Sequence, residues 1–303
     1  MPRLALSLLL TLTLCACTAS APQMPGSGHP LVGTIWNMAT GARMTSAELV
    51  RALRQADYVI LGEVHDNPEH HRRQARLTER IAPAGLAFEM IPEGSEEGIH
   101  VFLEQGGARS EIGPAIGWER LGWPDWQMYA PIFTAAPQAY LAGGAVPRTD
   151  LRKAVRDGAA AAFGAGAWDY GLSETLGPEI EAEMVQEMIT AHCGRLPPAM
   201  APGMVESQRL RDASFAHALR RAAKVGGGRA VLITGNGHAR TDRGVPAALA
   251  VAEPTARVLA LGQIEVEDER TDLADYGGKE GLPYDFVWFS PRAEREDPCA
   301  AFD

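Results

Sequence analysis

The sequence predicts an α/β fold: a mainly parallel sheet flanked by helices, with a smaller helical lid domain. Three observations carry this. "YVILG" and "GLAFEM" are apolar throughout, without the alternation of a half-exposed strand, so both read as strands buried on two faces. A helical segment, "NPEHHRRQARLTERIA", lies between them and makes a parallel βαβ unit. The middle of the chain differs, with Trp and Pro in "GWERLGWPDWQMYAPIF" followed by a stretch rich in Ala and Gly.

In chain order, "SAELVRALRQA" reads as a helix, with Ser46 as N-cap and Leu49, Val50 and Leu53 on one face. The helix after "YVILG" is opened by Asn67 and Pro68. Residues from about 95 to 200 read as a mostly helical insertion. Within it, Ile180, Met184, Met188 and Cys193 form a stripe, with Val185, Ile189 and His192 beside it, suited either to core or to the wall of an apolar pocket. "VESQRLRDASFAHALRRAAKVGGG" is a helix ended by glycines. Strands "RAVLITG", "RVLALGQIEVE" and "YDFVWFS" follow. The resulting division is a signal peptide (1–16), a lipidated N-terminus and tether (17–45), the α/β domain with its insertion (46–262), and a C-terminal strand and tail (263–303).

"MPRLALSLLLTLTLCAC" places Arg3 before eleven apolar-rich residues, Leu4 to Leu14, too few for a membrane span but right for a signal sequence. It closes on "LCAC", which resembles a bacterial lipobox with Cys17 as the lipidated cysteine; the alternative is an ordinary signal peptide. Thr18 follows Cys17 where an inner-membrane retention Asp would stand, so the expected location is the bacterial outer membrane, lipid-anchored through acyl chains such as palmitate. Of the four cysteines, Cys193 and Cys299 remain, and an oxidising compartment can pair them. With 38 acidic against 28 basic residues and a net charge of -10, no nucleic-acid partner is expected.

Three strand ends carry chemistry: Glu63 and His65 after the first, Glu89 in the second, His238 after the third. In a parallel sheet the carboxyl ends share one edge, where ligands bind. Two carboxylates and two imidazoles there suit a divalent transition metal, or general acid–base work without one. Gly62, Gly235 and Gly237 allow tight turns or close approach of a ligand. His70, with Gln74 one turn on, is expected either to face this crevice or to lie exposed, and His71 to point to solvent. Tyr129 and Tyr170 are candidate phenolate ligands for ferric haem.

"LGEVHDNPEHHRRQ", "LAFEMI", "WPDWQMYAPI", "ESQRLRDASFAHAL" and "GNGHAR", in this order, resemble the ChaN family of haem-binding uptake lipoproteins in the Tiki/TraB-like superfamily. The resemblance implies an α/β domain with a smaller helical domain, tethered to the outer membrane. For one branch of the family it implies a dimer enclosing two stacked haems, each iron held by a Tyr, with a partner His near the propionates. Tyr129, Tyr170, His70 and His65 are the haem candidates here. Relatives in the wider superfamily resemble metal-dependent peptidases working through the positions of Glu63, His65, Glu89 and His238. Many family members carry an Asn before the Pro-Arg of the middle block, where this chain has Val146.

Two functions follow as expectations. The first is a binding protein that captures haem or iron for uptake. Its partners would be the ligand, outer-membrane lipid, a second copy of the chain and an outer-membrane receptor. The second is a metal-dependent hydrolase using Glu63, His65, Glu89 and His238, although neither HExxH nor GxSxG occurs.

Overall fold

The computed structural model describes residues 23–277, 281–297 and 299–300; the signal sequence and Cys17 lie outside them. The chain opens with a short hairpin, β1 (Ile35–Asn37) and β2 (Ala42–Met44), and continues through α1 (Ser46–Leu53), β3 (Tyr58–Glu63), α2 (Pro68–Ile81) and β4 (Gly85–Pro92). Helices α3 (Glu96–Glu104), α4 (Ile112–Ile116) and α5 (Trp126–Ala135) lead to β5 (Tyr140–Ala145). Then come α6 (Arg148–Asp157), α7 (Ala159–Phe163), α8 (Pro178–Ala191) and the long α9 (Ala201–Gly226). The chain closes with β6 (Ala230–Gly235), α10 (Gly244–Ala252), β7 (Val258–Glu265) and β8 (Phe286–Ser290).

The eight strands form one sheet in the order β2-β1-β8-β7-β3-β6-β4-β5. From β8 to β5 every pairing is parallel, and only β1 pairs antiparallel with its neighbours β2 and β8. The α/β prediction therefore holds, as a mixed sheet with a parallel centre. Along β3, Val59 and Leu61 join one core layer and Ile60 the other, so the strand is buried on both faces, as its unbroken apolar run requires. Leu77, Ile81 and the aromatic side chains of α5 fill the first layer; Leu210, Phe215 and Leu219 of α9 fill the second.

Three expectations change. Thr45, not Ser46, caps α1: its hydroxyl accepts from the Glu48 amide at 3.2 Å while the Glu48 carboxylate accepts from the Thr45 amide at 2.8 Å. The stretch expected as tether up to residue 45 contains the β1–β2 hairpin, and already at Pro25 its carbonyl accepts from the Arg292 amide. The middle, expected as mostly helical, also supplies a strand, because β5 joins the sheet edge beside β4. The sequence of β5, "YLAGGA", lacks β-branched residues, yet Gly is needed there: a Cβ on Gly143 would stand 2.6 Å from the carbonyl oxygens of Ile91 and Pro92. Close strand approach, not propensity, sets this element.

Candidate functional site

Strands β3, β6 and β4 are neighbours and parallel, so their carboxyl ends bring Glu63, the turn after Gly235 and Glu89 together. Glu89 is fixed by β6 itself, its Oε2 accepting from Thr234 Oγ1 at 2.7 Å and from the Gly235 amide at 2.8 Å. His65 lies two residues past Glu63 and over Gly235, where a Cβ would stand 3.0 Å from His65 Nε2. Glycine at 235 thus makes room for the imidazole.

The four strand-end residues converge. His65 Nδ1 is 2.8 Å from Glu63 Oε1, and His238 Nδ1 is 2.6 Å from Asp212 Oδ1. The other nitrogens face one oxygen: Glu89 Oε1 is 4.0 Å from His65 Nε2 and 3.7 Å from His238 Nε2. Each imidazole is therefore oriented by its own carboxylate, with Glu89 between them. Behind Glu63, the Tyr129 hydroxyl donates to Oε1 at 2.7 Å and His71 Nδ1 lies 3.3 Å from Oε2. Among the described residues, no group of three or more His, Cys, Asp or Glu side chains is already placed to hold a metal ion.

Electrostatics follow from this wiring. Burial disfavours charge on Glu63, but His71 and the bond with His65 hold its carboxyl at about 2. Burial opposes the His65 charge as well, yet the bond to Glu63 and the field of Glu89 lift it to about 9. For His238 burial is again outweighed, by Asp212 and Glu89, and its pKa is raised. Burial raises Asp212, against the pull of His238.

Several residues sit elsewhere than expected. His70 does not face the crevice. It is fully buried, its Nδ1 accepting from the Val64 amide at 2.8 Å and its Nε2 2.7 Å from Ser290 Oγ, and burial holds its pKa well below the usual histidine value. Gln74 is buried too and donates to the Leu61 carbonyl at 3.0 Å. His71 points inward rather than to solvent, with Nε2 2.8 Å from the His65 carbonyl oxygen. Tyr129 is fully buried, its hydroxyl donates to Glu63 at 2.7 Å, and burial together with Glu63 pushes its phenol far above the ordinary range. Tyr170 does not line the crevice: its hydroxyl, 2.9 Å from Arg220 Nη1 and His217 Nδ1, belongs to a cleft of about 880 Å³ at the amino ends of the strands. Tyr170 also borders a smaller pocket that shares Met184, Asp212 and Arg243 with the crevice.

Three contributors come from outside the strand ends: Asp212, Tyr129 and Arg243. Asp212 carried a signal, as a charged side chain between Leu210 and Ala213 on the buried face of α9. The crevice itself holds about 370 Å³. Met184 and Met188 of α8 form its apolar wall, and His65, His238 and Arg243 line it as well. Beyond α8, Cys193 is disulfide-bonded to Cys299, with Cα atoms 5.6 Å apart, so the helix is stapled to the C-terminal tail. That tail is itself held at Arg295, which pairs with Asp66 at 2.6 Å and Glu265 at 2.7 Å.

Residues 49–249 match the family described as haem-binding uptake, Tiki superfamily, ChaN. Among solved structures the chain resembles ChaN of Campylobacter jejuni, described by its cofacial haem binding, with a TM-score of 0.62 and 15% identity over 84% of this chain and 95% of that one. The type III effector HopBA1 follows, with a TM-score of 0.43 and 13% identity over 80% and 91% of the two chains. A succinoglycan biosynthesis protein has a TM-score of 0.38 and 14% identity over 73% and 69%. No curated protein sequence matches the chain. With four of the eight strands and the whole crevice inside the matched span, this chain belongs to the ChaN family of haem-binding uptake proteins in the Tiki superfamily.

Proposed function

We propose that the chain captures haem in the carboxyl-edge crevice, as a lipoprotein of the bacterial outer membrane serving haem or iron uptake. The family match over residues 49–249 is the observation that carries this reading. The cofacial haem binding of the Campylobacter jejuni protein makes a second copy of the chain the expected partner. Haem supplies an iron that accepts a nitrogen ligand and two propionate carboxylates.

The crevice residues suit that group. With Nδ1 engaged by Glu63, His65 turns Nε2 to the crevice, where iron would displace its proton, and a carboxylate behind an imidazole strengthens it as a ligand. The ring is 36% exposed and stands edge-on to Trp123. Met184 and Met188 offer an apolar wall, and Arg243 a buried cation with Nη1 lacking a hydrogen-bond partner. Absorbance titration of soluble protein beginning at Thr18 with haemin tests this. A saturable Soret shift is expected, lost in His65→Ala and kept in Tyr129→Phe and Tyr170→Phe. No saturable shift, or loss on changing a tyrosine instead, sinks the assignment.

A second reading rests on the two carboxylate-held imidazoles turned towards Glu89 Oε1. That arrangement suits hydrolysis by general acid–base catalysis, or by a metal-dependent route in which a bound ion activates water. Stoichiometric transition metal in purified protein, with peptide or ester hydrolysis lost in His65→Ala and no Soret response, would favour it.

A further inference from the structure

Arg243 immediately precedes α10 and is 6% exposed, yet its partners are the exposed carboxylates of the lid helix α8. Nη2 donates to Glu187, which is 52% exposed, and Nη1 lies 3.6 Å from Glu183, which is 64% exposed. Nη1 is buried and makes no hydrogen bond. Arg240 Nη1, 3.7 Å away, also faces Glu187. A buried guanidinium with a free N–H is costly, and its planar fork is made for a carboxylate held by two bonds. Of the side chains of α8 only Met184 is buried, the other large apolar ones being half-buried, so limited apolar area holds Glu187 in place.

We propose that Arg243 is the carboxylate anchor of the crevice and that Glu187 occupies it when no ligand is bound. An amphipathic ligand bearing a carboxylate then lays its apolar body against Met184 and Met188 and displaces Glu187. Binding thereby frees α8 from Arg243 without breaking the Cys193–Cys299 staple. The proposal deepens the haem reading and rests on it for the identity of the carboxylate, which in haem is a propionate.

The test uses the soluble, disulfide-intact chain, with Arg243→Ala and Glu187→Gln, and two ligand pairs. Haemin is compared with its dimethyl ester by absorbance, and dodecanoate with dodecanol by tryptophan fluorescence. Wild type is expected to favour each acid by about tenfold or more, the worth of a charge-assisted carboxylate pair. Arg243→Ala should weaken the acids by about ten- to a hundredfold and leave ester and alcohol unchanged. Glu187→Gln, at an exposed position that leaves the fold intact, should tighten the acids several-fold. Acid and neutral forms bound alike by wild type, both members weakened alike by Arg243→Ala, or acids unmoved by Glu187→Gln would overturn the anchor. If neither porphyrin binds while dodecanoate still depends on Arg243, the anchor stands and the haem reading falls.

Discussion

Glu63 is fully buried and ionised because three side chains converge on it: His65, His71 and Tyr129. Its carboxyl sits at about 2, below its ordinary 4.5, so ionised Glu63 stabilises the fold. For a depressed carboxylate that contribution is complete above pH 4.5 and is lost as pH falls from there to about 2. It amounts to roughly 3 kcal/mol at neutral pH. Denaturant unfolding across that range should show wild-type stability falling more steeply than that of Glu63→Gln, by about one proton; equal slopes would contradict the assignment. At this scale the sequence was legible where strand direction alone decides position. Glu63, His65, Glu89 and His238 converge because parallel strands end at one edge. Tyr129, Asp212 and Arg243 come from helices and a turn whose approach depends on packing, so spacing could not place them. The placing of His70 and His71 depends on packing for the same reason: α2 is polar in composition, but these two side chains are buried under the end of β8 and beside β3.

Among elements, α8 lines one side of the crevice with Met184, Glu187 and Met188. It is held by one fully buried Met, by ion pairs from Arg240 and Arg243, and by the disulfide just past its end. Closing a loop across 106 residues restrains the unfolded chain, so replacing Cys193 and Cys299 with Ser should cost about 2–4 kcal/mol. Hydrogen exchange should rise first in the α8 amides, with β3, β4 and β6 unchanged below global unfolding. Faster exchange spread evenly over the sheet would show that the staple supports the whole domain instead. The five long strands after the hairpin and outside β5 were readable as apolar runs. The three-residue strands of the hairpin and the Ala- and Gly-rich β5 were not, because their pairing comes from neighbours rather than from their own residues.

Over the whole molecule, the net charge is -10, yet arginine lines both the amino-edge cleft and the carboxyl-edge crevice. The amino-edge cleft is the larger, about 880 Å³ against 370 Å³, and it holds Tyr170. Size alone would favour it for a porphyrin. The smaller crevice has the oriented imidazoles, the Met wall and Arg243 with its unpaired Nη1, and these are the features a haem would use. Among the described residues no helix is long and apolar enough to cross a membrane. On the lipoprotein reading, attachment would fall to the acylated N-terminus. The most direct measurement is the position of iron in crystals of the haemin complex, located by anomalous scattering at the iron edge. The account predicts iron bonded to His65 Nε2 inside the carboxyl-edge crevice. Iron beside Tyr170 in the amino-edge cleft would contradict it.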